Sequence, residues 1–231
     1  MTFVLTDGSG HTDQSRLAST TVVLNSVGAG SGSIYGAMSD RQLYQALLSG
    51  NYETFERLVE ELASELLQER VTYVVGDAVE GVNPGHDVCR LLLNAALLRM
   101  DQQGGARVTN LEYPVEARPE ECPPEDLSEA IILNLDDAAY ARKMDAARSY
   151  PEMAKEIERV FKVHNVDVFR VECLRPVRYG LDVGCRFSHP CVYETYGEKQ
   201  VAAGFYTEVV RFREHLEPLA KHLAIYCGAM S

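Results

Sequence analysis

The side chains best suited to chemistry are gathered in one segment, residues 76–90, with the sequence GDAVEGVNPGHDVCR. It carries carboxylates, an imidazole and a thiol, at Asp77, Glu80, His86, Asp87 and Cys89. Proteins use these groups for proton transfer and for zinc binding. The segment follows an apolar, strand-like run at residues 71–75 and leads into an apolar helical run. In open α/β sheets, ligands bind where strands end and helices begin, so the sequence predicts a site here.

Each of these side chains also has a structural explanation, and the sequence leaves both readings open. His86 either takes part in chemistry or caps the helix predicted at residues 87–100. Cys89 is either a ligand or a small buried residue on that helix. Asp77 follows a strand, as Asp7 follows the first predicted strand, so both would point into one crevice and act there as a base or bind a hydroxyl group. Because Asp7 precedes a glycine, it also fits a tight turn in which it bonds its own backbone.

Composition limits the classes of function. The chain has 231 residues, of which 46% are hydrophobic and 24% charged, which is ordinary for a globular protein. Its formal net charge of −12 argues against a nucleic-acid backbone or an anionic membrane as the partner. The sequence has no long apolar run typical of a membrane span and no secretory signal pattern. Since its cysteines form no close C-x-x-C pair, we expect a cytoplasmic protein with reduced thiols.

Hydrophobic periodicity predicts alternating strands and helices. The predicted strands are residues 1–6, 71–75, 107–115 and 166–177. The predicted helices are residues 15–26, 51–70, 87–100, 136–150, 151–162 and 206–226. Glycine-rich residues 28–33 are expected to end the first helix, and residues 178–204 to form a polar loop region over the crevice. This alternation predicts an α/β fold with a mostly parallel, helix-covered sheet in a single domain, residues 1–231.

Two minor motifs are expected to be structural. The run His11-Thr12-Asp13-Gln14 lies in a polar turn after the first strand, which favours an exposed position. Cys185, His189 and Cys191 have the spacing C-x3-H-x-C, which is not a recurring zinc pattern, so we expect a loop there.

Three motifs together resemble the LmbE/PIG-L-type zinc-dependent N-deacetylases. They are Thr6-Asp7-Gly8 after a strand, Arg16 at the start of the next helix, and His86-x-x-Cys89-Arg90 after a later strand. The tail, residues 193–198 and 211–218, is similar to the C-terminal region of one uncharacterised branch of that family. The resemblance implies a Rossmann-like three-layer sandwich that removes an acyl group, usually acetyl, from an N-acylated amino sugar or glycoconjugate. It implies a zinc cofactor and a small-molecule ligand, with no nucleic acid or membrane, and leaves homo-oligomerisation open.

The resemblance and the strand-end positions together suggest a catalytic pair and a metal ligand. His86 takes the place of the general acid that protonates the departing amine, and Asp77 is the second catalytic candidate. Aligned through Arg90, Cys89 takes the position of a zinc ligand. In the other register His86 is the ligand and Asp87 is its hydrogen-bonding partner. Both registers remain open.

Four further residues are candidates for substrate binding, at Asp7, Arg16, Glu80 and Asn83. Arg16 matches a substrate-contacting arginine of the family, but the glutamate expected three positions later is Ser19 here. The alternative for Arg16 is a solvated residue at a helix start. Asn83 begins a turn-forming Asn-Pro-Gly sequence that would present His86.

The sequence departs from the family pattern at its start. Family members have an additional first strand, carrying A-H-P-D-D-E, that supplies two zinc ligands and the general base. The first strand here corresponds to the family's second, so we expect a truncated or misassigned amino terminus, with Met1 in place of a strand valine. Loss of a central strand should expose unpaired backbone groups and an apolar helix face, unless rearrangement or dimerisation covers them. The leading interpretation is a zinc-dependent N-deacetylase, which is inactive as written if the two ligands and the base are absent. The alternative is a non-catalytic ligand-binding or partner protein that retains the fold.

Overall fold

The computed structural model describes residues 1–10, 12, 14–118, 121–163, 165–184 and 186–229. The strands are β1 (Thr2–Thr6), β2 (Ser31–Met38), β3 (Tyr73–Asp77), β4 (Thr109–Tyr113), β5 (Ile131–Asn134) and β6 (Val171–Pro176). The α-helices are α1 (Leu17–Ser26), α2 (Asp40–Ser49), α3 (Tyr52–Gln68), α4 (Pro84–Gln102), α5 (Asp137–Arg148), α6 (Ala154–Val163), α7 (Val192–Ala202) and α8 (Glu217–Tyr226). His11, Asp13 and Cys185, from the two minor motifs, lie outside the described residues.

The strands form two groups. β1 and β2 pair in parallel as a two-stranded sheet. The second sheet has the order β3-β4-β6-β5, in which β3 and β4 are parallel and the other two pairs are antiparallel. The chain is therefore α/β with mixed pairing, and the parallel arrangement expected from the sequence applies to β1–β2 and to β3–β4. Among the described helices, none has the length and apolar character needed to cross a membrane.

Helices α3 and α4 form the centre of the hydrophobic core. The apolar stripe predicted within residues 51–70 is largely buried along α3, at Phe55, Leu58, Val59, Leu62 and Leu66, and Ala63 is buried beside it. α4 begins at Pro84, three residues earlier than predicted, because proline suits the first turn of a helix and Asn83 Oδ1 accepts the Gly85 N–H at 2.8 Å. α4 packs against α3 and contacts both β1 and β3. It therefore joins the two sheets.

Two elements near the start have no counterpart among the predictions. Residues 28–33 do follow the end of the first helix, but strand β2 already begins at Ser31. The glycines of β2 weaken its strand signal in the sequence. They also leave room for neighbouring side chains, since a Cβ at Gly32 would lie 2.5 Å from Phe3 Cε1. Helix α2 follows directly, and Ser39 and Gln42 form a capping box at its start.

The prediction of a loop at residues 178–204 is wrong over the second half of that range, where the chain forms α7. At the start of α7, Glu194 Oε1 accepts the backbone N–H groups of Cys191 at 3.3 Å and of Phe212 at 3.2 Å, which ties this helix to the tail. The first half of residues 178–204 does contact the segment 76–90, because Arg186 Nε donates to the Val79 carbonyl at 2.7 Å.

Two predicted elements are shorter than expected. Val166–Arg170 forms a 3-10 turn, so only the second half of predicted strand 166–177 is strand β6. The closing helix predicted at residues 206–226 starts with a π-turn at Phe212–Leu216 and continues as α8. Alternating apolar residues do not distinguish a strand from a short 3-10 turn that buries the same side chains.

Candidate functional site

Asp77, His86 and Tyr113 meet at the carboxyl ends of the paired strands β3 and β4. Asp77 is the last residue of β3, and the parallel register pairs it with Tyr113, the last residue of β4. His86 lies in the first turn of α4, and its Nδ1 atom is 2.7 Å from Asp77 Oδ2. Tyr113 OH donates a hydrogen bond of 2.8 Å to the other oxygen, Asp77 Oδ1. Strand register and helix start thus place one carboxylate between an imidazole and a phenol.

These three groups influence one another's protonation. Burial lowers the pKa of His86, but the hydrogen bond and the charge of Asp77 outweigh it and raise that pKa above its ordinary value. Burial raises the pKa of Asp77, yet the His86 contact, the Tyr113 hydroxyl and nearby Arg90 bring it below its ordinary value. The His86 side chain is 39% exposed, whereas that of Asp77 is 16% exposed. The imidazole is therefore the member of the pair that a ligand can reach more readily.

Arg90 fixes the backbone beneath this pair. Its fully buried guanidinium donates from Nε to the Asp77 carbonyl at 2.6 Å and from Nη2 to the Leu111 carbonyl at 3.0 Å. It also donates from Nη1 to Asn110 Oδ1 at 2.9 Å. A Cβ at Gly76 would lie 2.9 Å from Arg90 Nη2, so glycine lets the guanidinium pass against β3. Arg90 therefore holds the ends of β3 and β4 at a fixed spacing.

Asp87 is a buried carboxylate under the loop between β3 and α4. Its Oδ1 atom accepts the N–H groups of Glu80 at 2.9 Å and of Gly81 at 3.3 Å. Its Oδ2 atom is buried and has no hydrogen-bond partner among the described residues. Burial raises the pKa of Asp87 to about 6 despite the two backbone donors. The expected hydrogen bond between Asp87 and His86 is therefore wrong, since Asp87 bonds the loop backbone and Asp77 contacts His86.

Two of the predicted substrate-binding residues have their side-chain oxygens engaged in local hydrogen bonds. The Glu80 carboxylate accepts three successive backbone N–H groups, with Oε2 bonded to Val115 (2.7 Å) and Glu116 (3.0 Å) and Oε1 to Ala117 (3.0 Å). Asn83 Oδ1 accepts the Gly85 N–H and so caps α4. Glu80 therefore holds the segment after β4 beside the site, where the charge of Glu116 helps to raise the pKa of His86.

Cys89 lies one turn after His86 in α4, and its side chain faces β1. Burial raises the pKa of its thiol well above the ordinary value, as does the charge of Asp77, although a hydrogen bond from the Leu5 backbone opposes this. A thiol that resists ionisation is a poor zinc ligand. In the parts of the chain that the structure describes, no group of three His, Cys, Asp or Glu side chains could hold a metal ion. These residues alone therefore do not fit the zinc ion implied by the resemblance, whether Cys89 or His86 is taken as the ligand.

Asp7 and Arg16 lie at the carboxyl end of β1. Asp7 Oδ1 accepts the Ser9 N–H at 3.0 Å, and the Asp7 carbonyl accepts the Arg16 N–H at 2.8 Å, so turn chemistry accounts for these contacts. The Arg16 guanidinium contacts Met153 Sδ at 3.5 Å. Over the described ranges, no hydrogen bond joins Asp7 or Arg16 to His86. Their roles in substrate binding stay predictions.

The structure thus gathers most of the predicted site residues around the start of α4, and it adds Tyr113 and Arg90, which were not among the predicted site residues. Tyr113 had a usable signal, because it lies near the end of the strand predicted at residues 107–115 and precedes a proline. Arg90 belongs to the motif His86-x-x-Cys89-Arg90, but its role had no signal, since a buried arginine cannot be told from a solvated one by its position on a helix.

No protein-family model, curated protein or solved structure matches this chain. The features that bear on function are the contacts of Asp77, His86 and Tyr113, and the motifs that carry the resemblance.

Proposed function

We propose that this chain is a hydrolase of the N-deacetylase type, in which His86 protonates the departing amine of an N-acylated amino sugar or glycoconjugate. The observation that supports it most is the 2.7 Å distance between His86 Nδ1 and Asp77 Oδ2. Because Asp77 occupies Nδ1, Nε2 is the ring nitrogen left for a substrate. The raised pKa of His86 keeps its imidazole protonated closer to neutral pH, which suits an acid that protonates a leaving group.

In this scheme each neighbouring residue positions the next. Arg90 fixes the end of β3, Tyr113 fixes the carboxylate of Asp77, and Asp77 stays ionised and fixes the imidazole. As the amide C–N bond breaks, the proton on Nε2 moves to the nitrogen and the amine leaves uncharged. Activation of the attacking water is a separate requirement, and the described residues do not by themselves provide a metal site for it.

The same proposal includes a Rossmann-like three-layer arrangement. β1 is followed by α1 and the parallel strand β2, and β3 is followed by α4 and the parallel strand β4. Asp7 directly follows β1, and Asp77 ends β3. In doubly wound sheets, ligands bind outside the carboxyl ends of such strands, which is where the Asp77–His86 pair lies.

A second candidate is a non-catalytic ligand-binding or partner protein that retains the fold. It is favoured by the lack of a three-residue metal group in the described segments. It is also favoured by Glu80 and Asn83, whose side-chain oxygens already accept backbone N–H groups. Polar groups committed to the local fold contribute less to a substrate site.

Acetate release separates the two candidates. The purified protein is incubated with N-acetylglucosamine glycosides, with and without added zinc. For the enzyme we expect acetate release that falls by about 10²-fold or more in His86→Ala. No acetate release in either condition, together with saturable binding of the glycoside, would instead support the binding protein.

A matched control exists elsewhere in the chain. His222 Nε2 lies 2.6 Å from Glu56 Oε1, in a comparable histidine–carboxylate pair between α8 and α3. Because this pair is not part of the candidate site, His222→Ala should leave acetate release unchanged. An equal loss in both variants would show that histidine removal acts through the fold, and it would overturn the role of His86.

A further inference from the structure

A cavity of about 450 Å³ lies between the loop that joins β3 to α4 and the segment between β6 and α7. The loop contributes Val79 and Glu80, and the segment contributes Tyr179, Arg186 and Phe187. The volume falls within the range of about 300–1,000 Å³ that is usual for small-molecule sites. The role proposed for His86 leaves this cavity unexplained.

Arg186 is held in a fixed position at the wall of this cavity. Its side chain is half-buried, and its Nε atom donates to the Val79 carbonyl at 2.7 Å. The guanidinium lies over the ring of Tyr179, 5.1 Å from the ring centroid. The hydrogen bond fixes one edge of the guanidinium, and the ring supports its plane. Because the side chain is already ordered, little conformational entropy is lost when it binds a ligand.

The two terminal nitrogens of Arg186 are not engaged. Within the described ranges, neither has a hydrogen-bond or ion-pair partner. Two other arginines differ in this respect, since Arg178 donates to Asp126 at 2.6 Å and Arg213 donates to Glu217 at 2.7 Å. A guanidinium that is partly removed from water without a new partner loses hydration that nothing replaces. The terminal N–H groups of Arg186 are therefore available to an acceptor.

Two carboxylates near Arg186 do not supply that acceptor. Glu80 lines the same cavity, but its oxygens accept the N–H groups of residues 115–117. The charge of Asp87 interacts with Arg186, yet its Oδ1 accepts two loop N–H groups and its Oδ2 is buried. These charges offset part of the positive charge of Arg186. A ligand is therefore bound by directed N–H groups more than by net charge.

Aromatic rings form two sides of the cavity. The ring of Tyr179 is accessible, since this residue is 50% exposed. Phe187 packs edge-on against Phe212, with ring centroids 5.0 Å apart, and a Cβ at Gly81 would lie 2.9 Å from its ring. The Phe187 carbonyl also accepts Arg213 Nη2 at 3.1 Å. An apolar surface beside a few fixed polar groups is typical of sites that bind small ring compounds.

We propose that this cavity binds a small ring compound that carries a carboxylate or a phosphate. The planar guanidinium of Arg186 presents parallel N–H groups on its two terminal nitrogens, which match two oxygens of either acid. The ring of the ligand lies against Tyr179 and Phe187, and its acidic group contacts Arg186. A lysine at this position would provide the charge without the paired donors.

The cavity lies close to the candidate site. The carboxylate of Asp87 is influenced by the charges of both Arg186 and His86, and Asp87 directly follows His86 in α4. A substrate that extends from His86 to Arg186 would therefore place an acidic substituent in the cavity. This consequence rests on the proposed function, whereas binding of the acid does not depend on it.

The first test compares three probes of similar shape, which are benzoate, phenyl phosphate and the uncharged benzamide. Each is titrated into the intact chain, and the NMR signals of the Tyr179 and Phe187 rings report binding. We expect saturable binding of at least one acid, about 10-fold or more tighter than that of benzamide, because charge-assisted hydrogen bonds are lost in the amide. The tighter acid identifies the ligand group as carboxylate or phosphate. Equal binding of the three probes, or no change at the two rings, would overturn the proposal.

The second test uses Arg186→Gln, which removes the charge and the paired donors. We expect the affinity for the tighter acid to fall by about 10-fold or more, to that of benzamide. Arg170→Gln is the matched control, because Arg170 also lies over a tyrosine ring, 4.1 Å from the centroid of Tyr140, while its Nη1 already donates to Asp137 at 2.8 Å. Unchanged affinity in Arg186→Gln, or an equal loss in both variants, would contradict the role of Arg186.

The two tests are independent of each other and of the proposed activity. The comparison of acids with benzamide needs only the wild-type chain, so it decides the proposal even if Arg186→Gln does not fold. Neither test measures acetate release. A failure to bind the acids is therefore distinct from a failure of deacetylation.

Discussion

His86 Nδ1 lies 2.7 Å from Asp77 Oδ2, and this contact joins the first turn of helix α4 to the last residue of strand β3. The second oxygen of Asp77 is bonded by Tyr113 from the neighbouring strand. The carboxylate is therefore held from two elements, and it holds the imidazole in turn. Such support from two elements fixes the orientation of the imidazole, as the proposed acid requires.

Tyr113→Phe tests the support of Asp77. The variant loses the hydrogen bond to Asp77 Oδ1, so we expect the free energy of unfolding to fall by about 1 kcal/mol. We also expect a several-fold lower rate of acetate release, because Asp77 orients His86 less well. Urea unfolding and acetate assays measure the two effects. Tyr226→Phe is the control, since Tyr226 OH donates to Glu60 Oε1 at 2.8 Å away from the site. An equal change of rate in both variants would contradict the role of Tyr113.

Gly76→Ala tests the position of Arg90. The added Cβ would lie 2.9 Å from Arg90 Nη2 and 3.0 Å from Leu93 Cδ2, so either the guanidinium or the strand must move. We expect the free energy of unfolding to fall by about 1–3 kcal/mol, as for other overpacked sites. Denaturant unfolding measures it. Gly30→Ala is the matched control, because no atom lies within 4 Å of a Cβ at Gly30. Equal stability of the two variants would show that Arg90 does not pass against Gly76.

Asp87→Asn tests the cost of the buried carboxylate. Burial raises the pKa of Asp87 from its ordinary 3.8 to about 6, so the folded protein binds a proton more tightly than the unfolded chain. The unfavourable contribution is therefore fully present above about pH 6 and disappears as the pH falls through 6 toward 4. Asparagine keeps an oxygen for the Glu80 and Gly81 N–H groups and carries no charge. We expect the variant to be more stable than the wild type at pH 7.5, by up to about 3 kcal/mol, and the difference to shrink at pH 4.5.

A buried aspartate with a cationic partner provides the comparison for Asp87. Asp126 accepts a hydrogen bond of 2.6 Å from Arg178 Nε, so Asp126→Asn should lower the stability at pH 7.5. Chemical unfolding at the two pH values measures both variants. A destabilised Asp87→Asn variant at pH 7.5 would contradict the assignment of an unfavourable buried charge.

The strand–loop–helix unit that carries the site was predictable from sequence, because its signals are local. An apolar run predicted β3, a turn sequence followed, and apolar periodicity predicted α4. The burial of α3 followed from the stripe of Phe55, Leu58 and Leu62. Strand β2 was not predictable in the same way, because Gly32 and Gly36 weaken its propensity while suiting the packing of Phe3 and Leu17.

The roles of individual polar residues depend on contacts that sequence spacing does not encode. Glu80 has the position of a site carboxylate, yet its oxygens bind the backbone of residues 115–117, about 35 positions later. Tyr113 joins the site only because the register of β3 and β4 pairs it with Asp77. A one-residue slip of that register would point Tyr113 to the other face. Local patterns therefore located the site but did not assign its hydrogen bonds.

The central claim is that Asp77 holds His86 as a protonated, oriented acid, and an NMR titration of the His86 ring tests it most directly. The pKa of His86 is measured in the wild type and in Asp77→Asn, with His222 as the internal reference in each sample. We expect a pKa above 6.5 in the wild type and a lower pKa in the variant, because burial, which lowers the pKa, remains when the charge of Asp77 is removed. The same His86 pKa in both proteins would contradict the account.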